Sequence, residues 1–167
     1  MKRQIRTTTE NTMKLDTSLI GNCTLGTLIQ ATYVGGNGRD EPYALTLDAV
    51  GNVFVAGYTE STNFPNTTGA LQPALGGGFF DAFVARLSNS LTTPMQATYL
   101  GGNGDDRAFA MALDAGGNVV VAGFTASTNF LATAGAAQTG NAGGNDALVA
   151  KLTPDLRGDL IFANGFE

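Results

Sequence analysis

Two copies of an acidic, glycine-rich stretch are the residues of this sequence best suited to chemistry. The letters GGNGRD occupy residues 35–40, and GGNGDD occupies residues 101–106. Aspartate carboxylates and glycine carbonyls are the hard oxygen ligands that calcium prefers. Asp105 and Asp106 are therefore calcium candidates in the second copy. In the first copy the candidate is Asp40, because Arg39 stands where the second copy has its other carboxylate.

The spacing of the two copies argues against a calcium-binding β-roll. In that solenoid the pattern recurs about every nine residues, because successive turns share one oxygen cage. Here the copies lie 66 residues apart, and the next position is the charged Glu41 or Arg107 where a β-roll has an apolar residue. The aspartates are instead predicted to cap turns, and no cofactor is expected. A solitary calcium site remains an alternative.

Few residues offer catalytic chemistry. The sequence has no histidine and a single cysteine, Cys23, so it can form neither a Ser-His-Asp triad nor a Cys-His pair. Paired carboxylates could act as acid and base, but the remaining aspartates of interest recur at the repeat period. They are Asp48, Asp81, Asp114 and Asp146. We predict that the chain is not an enzyme, with no catalytic residue and no cofactor-binding residue.

The charge distribution disfavours nucleic acid as a partner. The net charge is −5, although Lys2, Arg3, Arg6 and Lys14 lie within the first 14 residues. The acidic remainder would repel phosphate backbones, so no nucleic acid is expected.

No apolar run approaches the roughly 20 residues of a transmembrane helix, and no transmembrane segment is expected. Residues 1–26 are predicted to be a disordered leader that lacks the apolar centre of a signal peptide.

The glycine-rich stretches belong to a duplicated unit. Residues 31–64 align without a gap with residues 97–130, and 23 of the 34 positions are identical. Apolar residues at consecutive positions, as in NVFVAGY, indicate strands that are covered on both faces. Strands are predicted at Tyr43–Leu47, Val53–Tyr58, Ala82–Leu87, Met95–Leu100, Phe109–Leu113, Val119–Phe124 and Ala147–Leu152. The predicted fold class is all-β, with two antiparallel, roughly four-stranded propeller-like blades that make an incomplete propeller.

The alignment also sets the predicted boundaries. Residues 27–96 hold the outer strand of a preceding blade and the first repeat, and residues 97–157 hold the second repeat. Residues 158–167 form a C-terminal strand or tail, in which DLIFANGF would be the outer strand of the last unit. The long loops 59–80 and 125–145 both contain STNF and are the better functional candidates, because binding residues concentrate on such loops.

The stretch TYLGGNGDDRAFAMALDAGGNVVVAGFTASTNF, followed by GGNDALVAKL, resembles the bacterial SBBP-type β-propeller repeat. The resemblance covers residues 27–152, and the closing GDLIFANGFE resembles a short C-terminal signature of exported Gram-negative proteins. The resemblance to the SBBP-type repeat implies a repeat module of an exported or cell-surface bacterial protein, in a family without a shared catalytic site. We therefore expect a non-enzymatic structural surface, or one that binds a protein or a surface ligand.

Two repeats are too few to close a propeller ring, which needs roughly four to eight blades. The chain could be a truncated product, an open two-blade wedge or a subunit of a ring. Its expected partners therefore include further copies of itself or further blades of a longer chain. The alternative function is a calcium-dependent binder or a carboxylate-based hydrolase whose site forms only in a complete propeller.

Overall fold

The computed structural model describes residues 26–131 and 135–158. Within these residues the regular structure consists of strands in two antiparallel sheets and includes no helix. It accordingly contains no helix that could span a membrane. The predicted all-β class is confirmed, and two separate antiparallel sheets fit an incomplete propeller.

The first sheet is a four-stranded blade. Its strands are β1 (Asp40–Leu47), β2 (Val53–Thr59), β3 (Asp81–Leu87) and β4 (Pro94–Leu100), and they pair in sequence order. Each strand extends slightly beyond its predicted bounds. The largest extension is at β1, because its first three residues pair with the end of β2.

The second sheet repeats the first three strands. Its members are β5 (Asp106–Leu113), β6 (Val119–Thr125) and β7 (Asp146–Leu152), again in sequence order. The predicted outer strand DLIFANGF and most of the predicted leader lie outside the described residues. Residues 26–36, predicted to contain the outer strand of a preceding blade, form no strand in the structure, and Tyr33 among them is fully exposed. Among the described residues this segment pairs with neither sheet.

Local sequence explains the hairpins. Asp48 Oδ1 accepts hydrogen bonds from the backbone N–H groups of Val50 (3.1 Å) and Asn52 (2.8 Å). Gly51 adopts a φ of 85°, which glycine tolerates without strain. Asp114 and Gly117, with a φ of 80°, repeat this arrangement between β5 and β6. The predicted turn chemistry is thus present in both blades.

Each blade has two faces, and they are covered differently. The downstream face of the first blade, toward the second blade, presents Phe54, Ala56, Tyr58, Ala82, Val84 and Leu100, all buried. Most of these residues share a core with Ala108, Val119, Val121 and Leu152 of the second blade. The upstream face of the first blade carries a separate core, in which Phe64 packs on Phe83 and Tyr99. The junction between the blades is therefore the main core of the described chain.

Candidate functional site

The repeated glycine-rich loop is held by the repeated STN segment, an arrangement we call the GGNG–STN clasp. In the second copy the backbone N–H of Asn103 donates to Asn129 Oδ1 (2.7 Å), and that of Gly104 donates to Ser127 Oγ (2.9 Å). The N–H of Thr128 returns a hydrogen bond to Asn103 Oδ1 (2.9 Å). The first copy makes the same three bonds 66 residues earlier. The STNF segments, predicted to lie in functional loops, thus hold the glycine-rich loop in place through hydrogen bonds.

The glycines of the clasp are needed for close approach. A Cβ on Gly101 would lie 2.4 Å from the Asp81 carboxyl carbon, and one on Gly102 would lie 2.5 Å from Asn129 Oδ1. A Cβ on Gly76, in the loop before β3, would lie 2.6 Å from the carbonyl oxygen of Gly102. The loop before β3 and the clasp therefore meet backbone to backbone, where any side chain would clash.

The three calcium candidates lie in these clasps. Asp40 and Asp106 each begin a strand, and each Oδ2 accepts the N–H of the glycine four residues earlier at 2.9 Å. Ser127 Oγ also donates to Asp106 Oδ2 (2.7 Å). Asp105 Oδ1 accepts the N–H of Phe79 (2.8 Å) from the loop before β3. Asp40 and Asp106 thus have the turn-capping geometry that was predicted, while Asp105 ties two loops together.

No cluster of three or more aspartate, glutamate, cysteine or histidine side chains suited to a metal ion occurs in residues 26–131 and 135–158. Asp105 and Asp106 are consecutive, but their bonded oxygens accept hydrogen bonds from different loops. The structure supports turn capping for these residues, and the calcium alternative stays a prediction.

A buried carboxylate pair lies at the junction between the blades. Asp81 and Asp106 have no exposed surface, and the N–H of Asp106 donates to the carbonyl oxygen of Phe80 (3.0 Å). Asp81 Oδ2 accepts hydrogen bonds from Gln72 Nε2 (2.9 Å) and from the N–H of Gly76 (2.6 Å). The Oδ1 atoms of both aspartates are buried without a hydrogen-bond partner.

Burial is the main cause that raises the pKa of the Asp81 carboxyl to about 7. The N–H of Gly76 opposes the rise, and the negative charge of Asp106 adds to it. Two carboxylates in one dry site disfavour double ionisation. Near neutral pH the Asp81 carboxyl is therefore about half protonated, and below that pH it retains a proton that an exposed aspartate would have released.

An arginine crosses the same junction between aromatic rings. The Arg107 guanidinium carbon lies 4.2 Å from the Phe80 ring centroid and 4.6 Å from that of Tyr58, both in the first blade. The ring of Phe124 on the neighbouring strand β6 lies 5.8 Å from it. Cation–π contacts of this kind are worth roughly 0.5–2 kcal/mol, more when water is excluded. Arg107 thus joins the blades and does not act as a surface charge.

Both ends of the blade pair expose positions that the junction buries. Val149 of β7 is 75% exposed, whereas Val84, its counterpart in the first blade, is fully buried. At the other end Leu45 of β1 is 65% exposed, whereas its counterpart Met111 is partly buried against the junction core. We call the face that presents Leu45 and Leu47 the open upstream face, and the face that presents Ala147 and Val149 the open downstream face. These faces are the candidate functional surfaces.

A groove of about 640 Å³ runs beside β7. It is lined by Phe130, Leu148 and Ala150, together with Leu71 and Leu100 of the first blade. In the first blade the counterparts of the first three residues pack against Ala97 and Tyr99 of β4. The groove therefore corresponds to the position that an outer strand takes in a blade, and its shape is explained without a ligand.

Sequence reasoning missed the roles of Gln72, Arg107 and Phe80. One signal was available for Gln72, because Gln138 recurs 66 residues later and makes the equivalent bond to Asp146 Oδ2 (3.0 Å). No repeat signal pointed to Arg107 or Phe80, since the other copy has Glu41 and Asn145 at those positions. Their pairing exists only where two blades meet.

Comparison with known proteins agrees with this architecture. Residues 31–65 match the family model described as the SBBP beta-propeller repeat. That range contains the first GGNG loop, the β1–β2 hairpin and the first STN segment. No match to the chain was found among curated proteins.

Proposed function

Because the chain carries an SBBP beta-propeller repeat at residues 31–65, we propose that it is a non-enzymatic structural and protein-interaction module. Its interacting parts are the open upstream and downstream faces of the two-blade unit. Each blade supplies an antiparallel sheet, and the STN segments of the loops that were candidates for ligand binding are engaged in the GGNG–STN clasps.

The observation that carries this proposal is the exposure of apolar positions at both ends. Leu45, Leu47 and Val149 are more than half exposed, at positions where the repeat is built to pack against another blade. Exposed apolar surface of this kind marks protein interaction sites when it is contiguous. A face that matches an internal contact already has the shape to bind protein.

The non-enzymatic part of the proposal is supported by how the carboxylates are engaged. Asp48 pairs with Arg86 (3.2 Å) and caps its turn, and Asp114 pairs with Lys151 in the other blade. Asp81 and Asp106 have no exposed surface, so a substrate could not reach them. The test is turnover of a panel of glycosidic, ester and lactone substrates by the purified chain. Hydrolysis that Asp105→Asn abolishes would refute a purely structural role.

We further propose that the chain acts at the bacterial cell surface or outside the cell, as the family resemblance implies. The measurement is protease treatment of intact producing cells, with detection of the chain by antibody. An exported chain is degraded in intact cells, whereas a known cytoplasmic protein in the same sample survives. Protection of both proteins would contradict export.

Photocrosslinking in the producing cells tests the interaction surfaces directly. Benzoylphenylalanine is placed at position 45 or 149 in the open faces, or at position 90 in the exposed β3–β4 turn as a control. We expect discrete protein adducts from positions 45 and 149 and none from position 90. If neither face position gives an adduct, or if all three give the same adducts, the faces are not interaction surfaces.

A solitary calcium ion, the remaining alternative, has its own test. We expect that millimolar calcium leaves the melting temperature unchanged, because Asp105 and Asp106 each accept a hydrogen bond within the protein. A rise in melting temperature that the Asp105→Asn/Asp106→Asn variant abolishes would establish calcium binding instead.

A further inference from the structure

We propose that the partner of both open faces is a second copy of this chain, bound head to tail through the same contact that joins the two blades internally. This inference rests on the proposed function, in which the open faces bind protein. It adds the identity of the partner and the geometry of the contact.

The internal junction is a template for this contact on the upstream side. In the second blade, Met111 and Leu113 pack against the junction core, and Val119 and Val121 are fully buried in it. Their counterparts in the first blade are Leu45, Leu47, Val53 and Val55, and the two leucines are more than half exposed. The open upstream face thus offers apolar residues at the positions that the second blade uses to bind the first.

The downstream side follows the same template. At the junction the first blade presents Tyr58, Ala82 and Val84, all buried. The second blade has Phe124, Ala147 and Val149 at these positions, and the last two are exposed. The two open faces therefore match the two sides of a contact that the chain already makes within itself.

This arrangement requires a head-to-tail geometry. The two faces differ and lie at opposite ends of the blade pair, so the upstream face of one copy binds the downstream face of the next. Such heterologous contacts produce closed rings when the rotation closes and open filaments when it does not. Either product buries the apolar faces of every copy except those at free ends.

Two positions depart from the template and weaken the contact between copies. Glu41 replaces Arg107, and Asn145 replaces Phe80, so the cation–π stack of the junction is missing between copies. The Glu41 carboxylate is instead held within its own blade by Arg39 and by Tyr43 Oη (3.0 Å). Restoring both residues should therefore tighten self-association.

Complementary single-face variants of the full chain test the geometry by sedimentation velocity. Leu45→Lys blocks the upstream face, and Val149→Lys blocks the downstream face. Each variant alone should be monomeric, whereas an equimolar mixture should form a 1:1 dimer through the two intact faces. Circular dichroism verifies that both variants are folded. Wild type should form larger species as its concentration rises, and Ser90→Lys, altered in an exposed turn, should behave like wild type.

The template itself is tested by Glu41→Arg/Asn145→Phe. We expect the dissociation constant for self-association of this variant to fall on the order of tenfold relative to wild type, because one cation–π contact between copies is restored. An unchanged constant would overturn the template, and a mixture of single-face variants that stays monomeric would overturn the head-to-tail geometry. A monomeric wild type with face-specific crosslinks to another protein in cells would refute the second copy and leave the proposed function standing.

Discussion

The buried pair Asp81 and Asp106 predicts that the stability of this protein depends on pH in an unusual direction. The ordinary pKa of an aspartate is 3.8, and burial raises that of Asp81 to about 7. Between these values the folded chain retains a proton that the unfolded chain has released. The contribution of Asp81 to the free energy of unfolding therefore falls as the pH rises through this range, and it is constant above and below it.

The magnitude follows from the size of the rise. About three pKa units, at 1.36 kcal/mol per unit, correspond to about 4 kcal/mol over the whole range. Asp81 has no exposed surface, so solvent does not screen this effect. Between pH 5 and pH 8 the loss amounts to about 3 kcal/mol.

The variant Asp81→Asn isolates this effect, because an amide stays neutral at every pH and its oxygen can still accept from Gln72 and Gly76. We expect the difference in unfolding free energy between the variant and wild type to shift by about 3 kcal/mol in favour of the variant from pH 5 to pH 8. Urea denaturation at fixed ionic strength measures it. Carboxylates such as Asp114, whose pKa is lowered by Lys151, lose their contribution only as the pH falls below the ordinary pKa of 3.8, so they add almost no trend between pH 5 and pH 8.

The control for this prediction is Asp146→Asn. Asp146 occupies the same repeat position, with its Oδ2 bound to Gln138 Nε2 (3.0 Å) and to the N–H of Ala142 (2.7 Å), but it is partly exposed. Asp146→Asn therefore measures the effect of replacing an aspartate with the same two kinds of hydrogen bond outside the fully buried site. If Asp81→Asn gives a change in unfolding free energy that is the same at pH 5 and pH 8, Asp81 does not retain a proton and the reasoning is wrong.

Three further predictions concern stability and are checked by thermal or urea denaturation. Gly57→Ala should lower the free energy of unfolding by about 3 kcal/mol or more, because the added Cβ would lie 1.9 Å from the Glu41 carbonyl oxygen in β1. The control Gly140→Ala should leave it nearly unchanged, because the added Cβ would have no atom within 4 Å. Arg107→Met should cost about 1–2 kcal/mol through the lost cation–π contacts, and an unchanged melting temperature would show that the stack adds nothing. Tyr99→Phe should cost about 1–3 kcal/mol, because the hydroxyl satisfies one buried N–H and one buried carbonyl; a neutral result would mean that water replaces it.

The strands and their turns could be predicted because their signals are local. Asp48 and Gly51 lie within four residues of the groups they control, so the β1–β2 turn follows from a short stretch of sequence. The consecutive apolar residues of β2 and β3 likewise predicted strands covered on both faces. The partner of the glycine-rich loop was not predictable in this way, since Asn103 and Asn129 are 26 residues apart.

The sequence by itself determined the duplication, the all-β class and the turn-capping aspartates, because repeat spacing and hairpin chemistry act over short distances along the chain. Only the tertiary structure decided which copy of each repeated residue is buried. Val84 faces the second blade and Asp81 lies near Asp106 at the start of that blade, and both are fully buried, whereas Val149 and Asp146 at the same repeat positions are exposed and partly exposed. The physical reason is that burial, and with it pKa and apolar contact, belongs to the pairing of two blades and is absent from either repeat alone.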